Sequence, residues 1–426
     1  MAQREGNLQA PTRHPLDWQS DDFYNEDSLN KELERVFDIC HGCRRCVSLC
    51  DAFPTLFDLV DESDTFEVDG VDKADYAKVS DQCYMCDMCY MAKCPYTPPH
   101  EWNVDFPHLM LRAKAVKFTK SGASLRDRIL TSTDTVGKLA TIPLVDITVN
   151  ALNKNNTFRK ALDSGFGVHH QAPVPEYHSK TMHKRVAPLA AATAPIEPVT
   201  AGNTKGKVAL YVTCYGNYNS PHLGEDFHSV FTHNGIQIDL VPKEQCCGMP
   251  KLELGDLQAV AKLKEANIPV LAKLVDEGYD LIAPIPSCVL MYKQELPLMF
   301  PDDADTRLVK EAMFDIANEP WLFLLVFPSV AIGAPLAEEV IFRGQLFSAL
   351  SSSRIGPFGA TLLTSLIWSV LHVTEPWLSI GLIFVMGLIF GWLMVRFGSL
   401  WLTIACHGLW NGFYSLLIFF NLGGGP

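Results

Sequence analysis

The spacing of the cysteines constrains this chain more than any other feature of its sequence. Twelve of the 13 cysteines fall in tight groups, and Cys406 stands alone. Two groups, at 40–50 and 83–94, each have the form CxxCxxC followed by one further cysteine. Three thiolates at i, i+3 and i+6 let one short loop hold three corners of an iron–sulfur cube, while the fourth cysteine ligates the neighbouring cube.

This spacing predicts two [4Fe–4S] clusters that exchange their fourth ligands. The first is expected at Cys40, Cys43, Cys46 and Cys94, and the second at Cys83, Cys86, Cys89 and Cys50. Structural zinc is the alternative, but a zinc ribbon uses two CxxC pairs and has no need of eight thiolates. The first 30 residues contain no signal peptide, which also favours metal ligation over disulfides.

Charge divides the chain into two parts. Residues 320–426 contain three acidic and three basic side chains, so the preceding residues account for the entire net charge of −13. An acidic front argues against nucleic-acid binding. The nearly uncharged tail has apolar segments at 321–337, 357–373, 377–395 and 400–420. A helix needs about 20 apolar residues to cross a bilayer, so the tail predicts a four-helix transmembrane bundle.

Between these parts, the pattern alternates strands and helices. Strands are expected at 208–213, 236–241 and 281–284, and helices at 223–232 and 257–276. Cys214, Cys246, Cys247 and Cys288 each follow a strand, where α/β proteins bind ligands. The sequence leaves three interpretations open for these cysteines, namely buried core residues, a third cluster, or a labile redox thiol pair.

These patterns predict a multidomain fold. Residues 1–29 would be an N-terminal tail, 30–152 an alpha-helical ferredoxin domain, and 153–206 a linker. The linker is rich in Ala, Pro and Thr from about residue 169 to 205. Residues 207–315 would form a cysteine-rich α/β domain, and 316–426 an all-α four-helix transmembrane bundle.

The cysteine pattern of residues 30–315 resembles that of heterodisulfide reductase and of the iron–sulfur subunit of anaerobic glycerol-3-phosphate dehydrogenase. The resemblance rests on the double cluster motif followed by Cys214, the Cys-Cys-Gly triplet at 246–248, and Cys288. It implies a CCG cysteine-rich domain, electron transfer, and a partner such as a flavoprotein or a quinone-linked dehydrogenase. Met291 stands where the family pattern has a cysteine, and one CCG domain is present instead of two.

Polar residues interrupt the apolar tail in three short motifs: Glu338-Glu339-Val-Ile-Phe-Arg343, Trp368-Ser-Val-Leu-His372 and His407-Gly-Leu-Trp-Asn411. A charged side chain at the bilayer centre costs about 2.5–3.5 kcal/mol, so such residues are candidates for function. A glutamate in an apolar site suits a general base, and histidine with an amide suits an oxyanion hole.

These motifs resemble those of the CPBP family, which comprises CAAX-type and bacteriocin-processing (Abi) intramembrane proteases. The resemblance covers about residues 320–420, with Trp368 where the family usually has Phe. It implies that Glu338 activates water with the aid of His372, and that Glu339 and Arg343 support the site. His407 and Asn411 would form the oxyanion hole. The rival arrangement is a zinc ion held by Glu338, His372 and His407.

Together, the two halves predict a bipartite, multi-pass protein of a bacterial-type cytoplasmic membrane. Its iron–sulfur domain is expected in the cytoplasm. Its partners would be the lipid bilayer, a redox partner, and a peptide or membrane-protein substrate, with no nucleic acid. The alternative is an iron–sulfur redox subunit alone, whose tail is an inactive anchor or the product of a non-native gene junction near 315–316.

Overall fold

The computed structural model describes residues 11–194, 196–198, 206–313, 327–372 and 377–419. The chain forms two compact units, Met1–Phe314 and Asp315–Pro426. The junction expected near 315–316 and the beginning of the predicted span 321–337 lie outside the described residues. The fold is mostly helical with one small parallel sheet, as a multidomain chain of this pattern predicts.

Helix α1 (Glu26–Cys43) shows how local sequence sets the helices of the first unit. Its N-cap Asn25 accepts a hydrogen bond from the Ser28 backbone N–H, and Arg44 ends the helix in the left-handed conformation at φ 50°. The remaining helices before the sheet are α2 (Ala52–Asp61), α3 (Tyr76–Asp81), α4 (Phe106–Ser121), α5 (Leu125–Leu130), α6 (Thr133–Ala140), α7 (Val145–Lys154), α8 (Asn156–Phe166) and α9 (Met182–Ala192).

The segment expected to be a linker, 153–206, differs from that expectation because it contains α8 and α9. Asn155 caps α8, and Gly167 follows it in the left-handed conformation at φ 65°. Met182 and Val186 of α9 are buried in the same apolar cluster as the sheet residue Leu210. The sequence carried both helix signals of α8, an Asn before it and a Gly after it.

The sheet has three parallel strands, β1 (Lys207–Leu210), β2 (Gln237–Leu240) and β3 (Asp280–Ile282), in the order β2-β1-β3. Lys207 lies opposite Gln237, and Val208 lies opposite Asp280. Alternate residues of β1 enter two different apolar clusters, so both faces of the sheet are covered. The helices of this part are α10 (Cys214–Tyr218), α11 (His222–His233), α12 (Met249–Leu254), α13 (Leu257–Asp276), α14 (Pro286–Leu290), α15 (Leu296–Met299) and α16 (Ala304–Ala312).

The second unit begins, in its described part, with an unbroken helical run over residues 327–351. After its first two residues, the run comprises Ser329–Gly333, α17 (Ala334–Glu339), Val340–Phe347 and α18 (Ser348–Ser351). It is followed by α19 (Gly356–Val370), α20 (Trp377–Phe397) and α21 (Leu400–Phe419).

Two glycines let α20 approach α19 closely. A Cβ atom added at Gly391 would lie 2.4 Å from Thr361 Cγ2, and one at Gly387 would lie 2.8 Å from Ser365 Cβ. Among the described residues, Ser379–Phe397 is the one unbroken helix both long and apolar enough to cross a membrane, and Gly356–Val370 is apolar but shorter. The four-helix transmembrane bundle therefore remains a prediction.

Candidate functional site

The first group of cysteines surrounds a cavity at the end of α1. Cys40 and Cys43 lie in the last turn of this helix, and the left-handed turn at Arg44 leads the chain to Cys46. The cavity has a volume of about 30 Å³. Its lining comprises all four predicted ligands, Cys40, Cys43, Cys46 and Cys94, with Ile39, Arg45, Phe53, Phe57, Pro95, Tyr96 and Val104.

The electrostatics of these thiols show which cysteines lie together. Burial raises the pKa of Cys40 well above its usual value, and negative charge on Cys94, Cys46 and Cys43 adds to the rise. Cys94 comes from the second sequence motif, 54 residues after Cys40 by their numbering. The structure therefore places the distant cysteine of the second motif with the three close cysteines of the first.

The second group shows the reciprocal exchange. Burial raises the pKa of Cys83 to about 11, with Cys50 and Cys86 also raising it. Burial likewise raises the pKa of Cys89, and Cys83, Cys46, Asp87 and Cys50 add to the rise. Cys50, from the first motif, thus lies with the three close cysteines of the second.

The loop of the second motif follows an unusual backbone path. Met85 and Asp87 have positive φ angles of 53° and 59°, although neither is glycine. Such residues cost of order 1–3 kcal/mol each and persist only where their surroundings hold them. The buried ammonium of Lys114 donates to the Cys83 carbonyl and is one of the groups that hold this loop.

These two sets of donors suit iron–sulfur clusters better than single ions. Four thiolates on one zinc ion would lie about 3.8 Å apart, given a Zn–S distance of about 2.3 Å. In the part of the chain that the structure describes, no three of these sulfur atoms lie within 4.8 Å of one another. Sulfur donors spaced more widely than one zinc ion allows are compatible with a cube of iron and sulfide.

A buried network of charges supports the second motif. The Arg13 guanidinium contacts Asp87 at 2.5 Å, Asp105 at 2.8 Å and Glu295 at 3.3 Å. His108 lies between the other two acids, with Nδ1 at 3.2 Å from Asp105 and Nε2 at 3.0 Å from Glu295. Asp87 lies between Cys86 and Cys89 in the loop of the second motif, and Glu295 lies in the α/β part of the unit. Arg13 contacts both, so it links this loop to the α/β part. Sequence reasoning missed this network.

The four cysteines of the α/β part converge beyond the sheet. Cys214 begins α10, Cys246 and Cys247 follow β2, and Cys288 lies in α14. The sulfur atoms of Cys214 and Cys246 are 3.9 Å apart, a thiol contact far longer than a disulfide of about 2.05 Å. Contact with Cys246 and then Cys288 raises the pKa of Cys247, and burial raises it further.

Met291 replaces the last cysteine of the CCG pattern in a position where its side chain is completely buried. A Cβ atom added at Gly248 would lie 3.6 Å from the Met291 methyl group, so this side chain packs beside the Cys-Cys-Gly turn. Gly248 has φ 100°, which a residue with a side chain rarely adopts. The glycine thus fixes the turn, and an apolar thioether stands in place of a thiolate.

In the second unit, Glu339, Arg343 and His407 form a buried cluster. Arg343 lies one helical turn after Glu339, and its Nη1 donates to Glu339 Oε1 at 2.9 Å. His407 Nδ1, from α21, lies 3.1 Å from the same oxygen. Arg343 also donates to the Gly387 carbonyl at 3.2 Å, which ties the cluster to α20.

Glu338 lies beside Trp368, and this contact was missed in the sequence. The indole Nε1 donates to Glu338 Oε2 at 2.6 Å. His372 Nδ1 lies 2.8 Å from the Trp368 carbonyl oxygen, and Asn411 donates to the Val330 carbonyl at 3.2 Å. The replacement of Phe by Trp in the second motif was the available signal, since only Trp supplies an N–H at this position.

The zinc arrangement receives no support from these distances. Within the described residues, the ligand atoms of Glu338, His372 and His407 do not all lie within 4.8 Å of one another. The Trp368 ring centroid lies 4.6 Å from Arg343 Cζ and 5.3 Å from the centroid of the His407 ring.

Comparison with known protein families defines two classes in one chain. Residues 208–293 match the cysteine-rich domain named CCG, and residues 320–413 match the family described as type II CAAX prenyl endopeptidase Rce1-like. The chain is thus a fusion of an iron–sulfur redox module with an Rce1-like CAAX protease domain. The Rce1-like domain implies a membrane protein.

Individual relatives each cover part of the chain. The chain is 29% identical over 196 residues to a subunit of the anaerobic glycerol-3-phosphate dehydrogenase of Escherichia coli K12, and the match spans 46% of this chain and 47% of the relative. It is 31% identical over 132 residues to lactate utilization protein A of Bacillus cereus, and this match spans 31% of this chain and 53% of the relative. It is 28% identical over 96 residues to a subunit of the fumarate reductase (CoM/CoB) of Methanothermobacter marburgensis, and this match spans 22% of this chain and 19% of the relative.

The chain spans about half the length of the glycerol-3-phosphate dehydrogenase subunit that it matches. No solved structure matches the chain.

Proposed function

We propose that the front unit transfers electrons through two [4Fe–4S] clusters and that the rear unit is an intramembrane endopeptidase. The redox partner would be a flavoprotein or a quinone-linked dehydrogenase, in line with the dehydrogenase subunit among the relatives. The protein would span a bacterial-type cytoplasmic membrane several times, with the iron–sulfur unit in the cytoplasm.

The exchange of Cys50 and Cys94 between the two cysteine groups is the observation that carries the redox proposal. It gathers four cysteine side chains in each group, and these would supply four thiolate ligands to a bound cluster. Bound clusters supply one-electron transfer. Phe53 and Phe57 line the first cavity and limit the access of water, while Arg13 holds the second loop through Asp87.

The CCG cysteines are a separate question, since Met291 removes one expected thiolate. Their proximity is compatible with buried core thiols, a third cluster or a redox thiol pair. Iron content distinguishes a third cluster from the other two. Two clusters require about eight iron atoms per chain, and a third would add more.

In the rear unit, the Glu338 carboxylate would accept a proton from water as the water oxygen bonds to the scissile carbonyl carbon. The same group would then deliver this proton to the amine nitrogen as the C–N bond breaks. Trp368 holds the carboxylate by its indole N–H and thereby limits the orientations available to it.

His407 and Asn411 would stabilise the oxyanion. Asn411 uses one amide hydrogen on the Val330 carbonyl and retains the second. His407 would face the oxyanion through Nε2, because its Nδ1 lies 3.1 Å from Glu339 Oε1 and this contact orients the ring.

Separate assays test the two activities. Reconstituted full-length protein should cleave a prenylated CAAX peptide in proteoliposomes, and Glu338→Gln should abolish cleavage while leaving its iron content unchanged. Cys40→Ser should lower the iron content and leave cleavage intact. If wild-type protein and Glu338→Gln release the same background amount of product, the rear unit is an anchor and the redox alternative stands.

A further inference from the structure

A cluster of possible metal ligands lies outside both sites described above. Asp163, His169 and His170 each offer one ligand atom, and these atoms all lie within 4.8 Å of one another. No other group of three or more His, Cys, Asp or Glu residues in the described parts of the chain meets this criterion. The cluster lies at the end of α8, in the segment whose sequence suggested only a linker.

The local sequence brings these residues together. α8 ends at Phe166, and Gly167 reverses the chain in the left-handed conformation at φ 65°, which favours glycine. The returning loop lies over the last turn of α8, where Asp163 accepts from the His170 backbone N–H at 3.1 Å. His170 Nδ1 lies 2.8 Å from the same carboxylate oxygen.

A buried arginine fixes this loop. Arg159 lies one turn before Asp163 on α8 and is 4% exposed. It donates to the carbonyl oxygens of His169 at 2.8 Å, His170 at 3.2 Å and Ala172 at 2.7 Å. Hydrogen bonds from a charged donor are stronger than neutral ones, so the backbone that carries both histidines is held before any ion binds.

The ligand atoms are close to the arrangement that a single ion needs. In a tetrahedral zinc site with bonds of about 2.0–2.1 Å, neighbouring ligand atoms lie about 3.4 Å apart. The His169 and His170 ring centroids are 4.6 Å apart, so the two rings already lie side by side. The Gln171 backbone N–H donates to His169 Nδ1 over 3.3 Å. Because this hydrogen bond is long, it does little to prevent rotation of the His169 ring.

We propose that Asp163, His169 and His170 bind one divalent transition-metal ion of the zinc type, with a water molecule as a further ligand. Two imidazoles and a carboxylate suit Zn²⁺, which is bound in other proteins by three side chains and water. His169 is exposed and His170 is half-buried, so the ion has access from solvent. The proposal depends on neither the cluster cysteines nor the peptidase residues.

The test uses full-length, cluster-loaded protein in detergent under anaerobic conditions, dialysed to equilibrium against Zn²⁺. Zinc and iron are then measured in the same samples. The double variant His169→Ala/His170→Ala should bind one zinc ion fewer per chain than wild type, with unchanged iron. Asp163→Asn keeps an oxygen acceptor for His170 and should weaken zinc binding about tenfold or more.

The matched control is His222→Ala/His233→Ala, which removes two exposed histidines from α11. It should bind as much zinc as wild type, because these histidines have no part in the cluster. Any zinc held by the CCG thiols is common to all variants and cancels in the comparison. Equal zinc binding by wild type and His169→Ala/His170→Ala, or an equal loss in the control, would overturn the proposal.

Discussion

Replacing Arg13 by methionine tests the buried charge network that holds the second cluster loop. Arg13 is the only arginine or lysine that the structure shows paired with Asp87, Asp105 and Glu295 in the described residues. Its side chain is 6% exposed, and those of Asp87 and Glu295 are 2% and 1% exposed. Methionine retains much of the apolar length of the arginine side chain but removes its guanidinium. The positive charge beside the three carboxylates then comes from His108.

Removing one partner of a buried ion pair costs about 3–5 kcal/mol, because the remaining charge has lost its compensation. The matched control is Arg35→Met. Arg35 pairs with Glu32 at 2.6 Å and donates to the Trp102 carbonyl at 2.8 Å, but the side chains of Arg35 and Glu32 are well exposed, at 40% and 38%. Exposed pairs contribute about 0–1 kcal/mol, so this variant should be nearly neutral.

The assay follows loss of the cluster absorbance in urea, under anaerobic conditions in detergent. With a urea dependence of about 1–3 kcal/mol per molar, the Arg13→Met midpoint should fall by roughly 1–2 M or more, and that of Arg35→Met by little. An Arg13→Met midpoint equal to that of wild type, or an equal shift in both variants, would refute the reasoning.

Two further predictions concern individual contacts. Trp368→Phe removes the indole donor to Glu338 and keeps an aromatic ring. The kcat for peptide cleavage should therefore fall about tenfold while KM is unchanged. An unchanged kcat would mean that Trp368 only packs against its neighbours. Burial lowers the pKa of His108, but hydrogen bonds to Asp105 and Glu295 outweigh this and raise it from 6.5 to about 9. Stability from this histidine is therefore complete below pH 6.5 and lost as pH rises through about 9, a difference of about 3 kcal/mol at most. In His108→Gln, the free energy of unfolding should change less with pH between these two values than in wild type. A pH dependence as steep as that of wild type would contradict the raised pKa of His108.

Local patterns predicted much of the fold. The expected helix at 257–276 coincides with α13, and the three strands lie within the expected segments or one residue outside them. These elements depend on short-range hydrophobic periodicity, which the sequence displays directly. The spacing of Cys40, Cys43 and Cys46 similarly predicted that their side chains would share one site.

Contacts between distant segments were beyond such patterns. Arg13 and Glu295 are 282 residues apart, and neither lies in a motif that indicates the other. The contact between Trp368 and Glu338 depends on how two helices pack, which periodicity alone does not specify. Helix α9 was missed because Ala, Pro and Thr are frequent between residues 169 and 205. Helix α8 lies before that stretch, and Asn155 and Gly167 marked its ends.

The central claim is that one polypeptide carries both an iron–sulfur module and an Rce1-like membrane core. Immunoblots of native cells with antibodies against each half, together with anaerobic EPR of isolated membranes, test it most directly. The account predicts one membrane-bound band near 47.3 kDa that both antibodies detect, and a reduced [4Fe–4S] signal that Cys40→Ser diminishes. Two separate bands, each detected by one antibody, would contradict it.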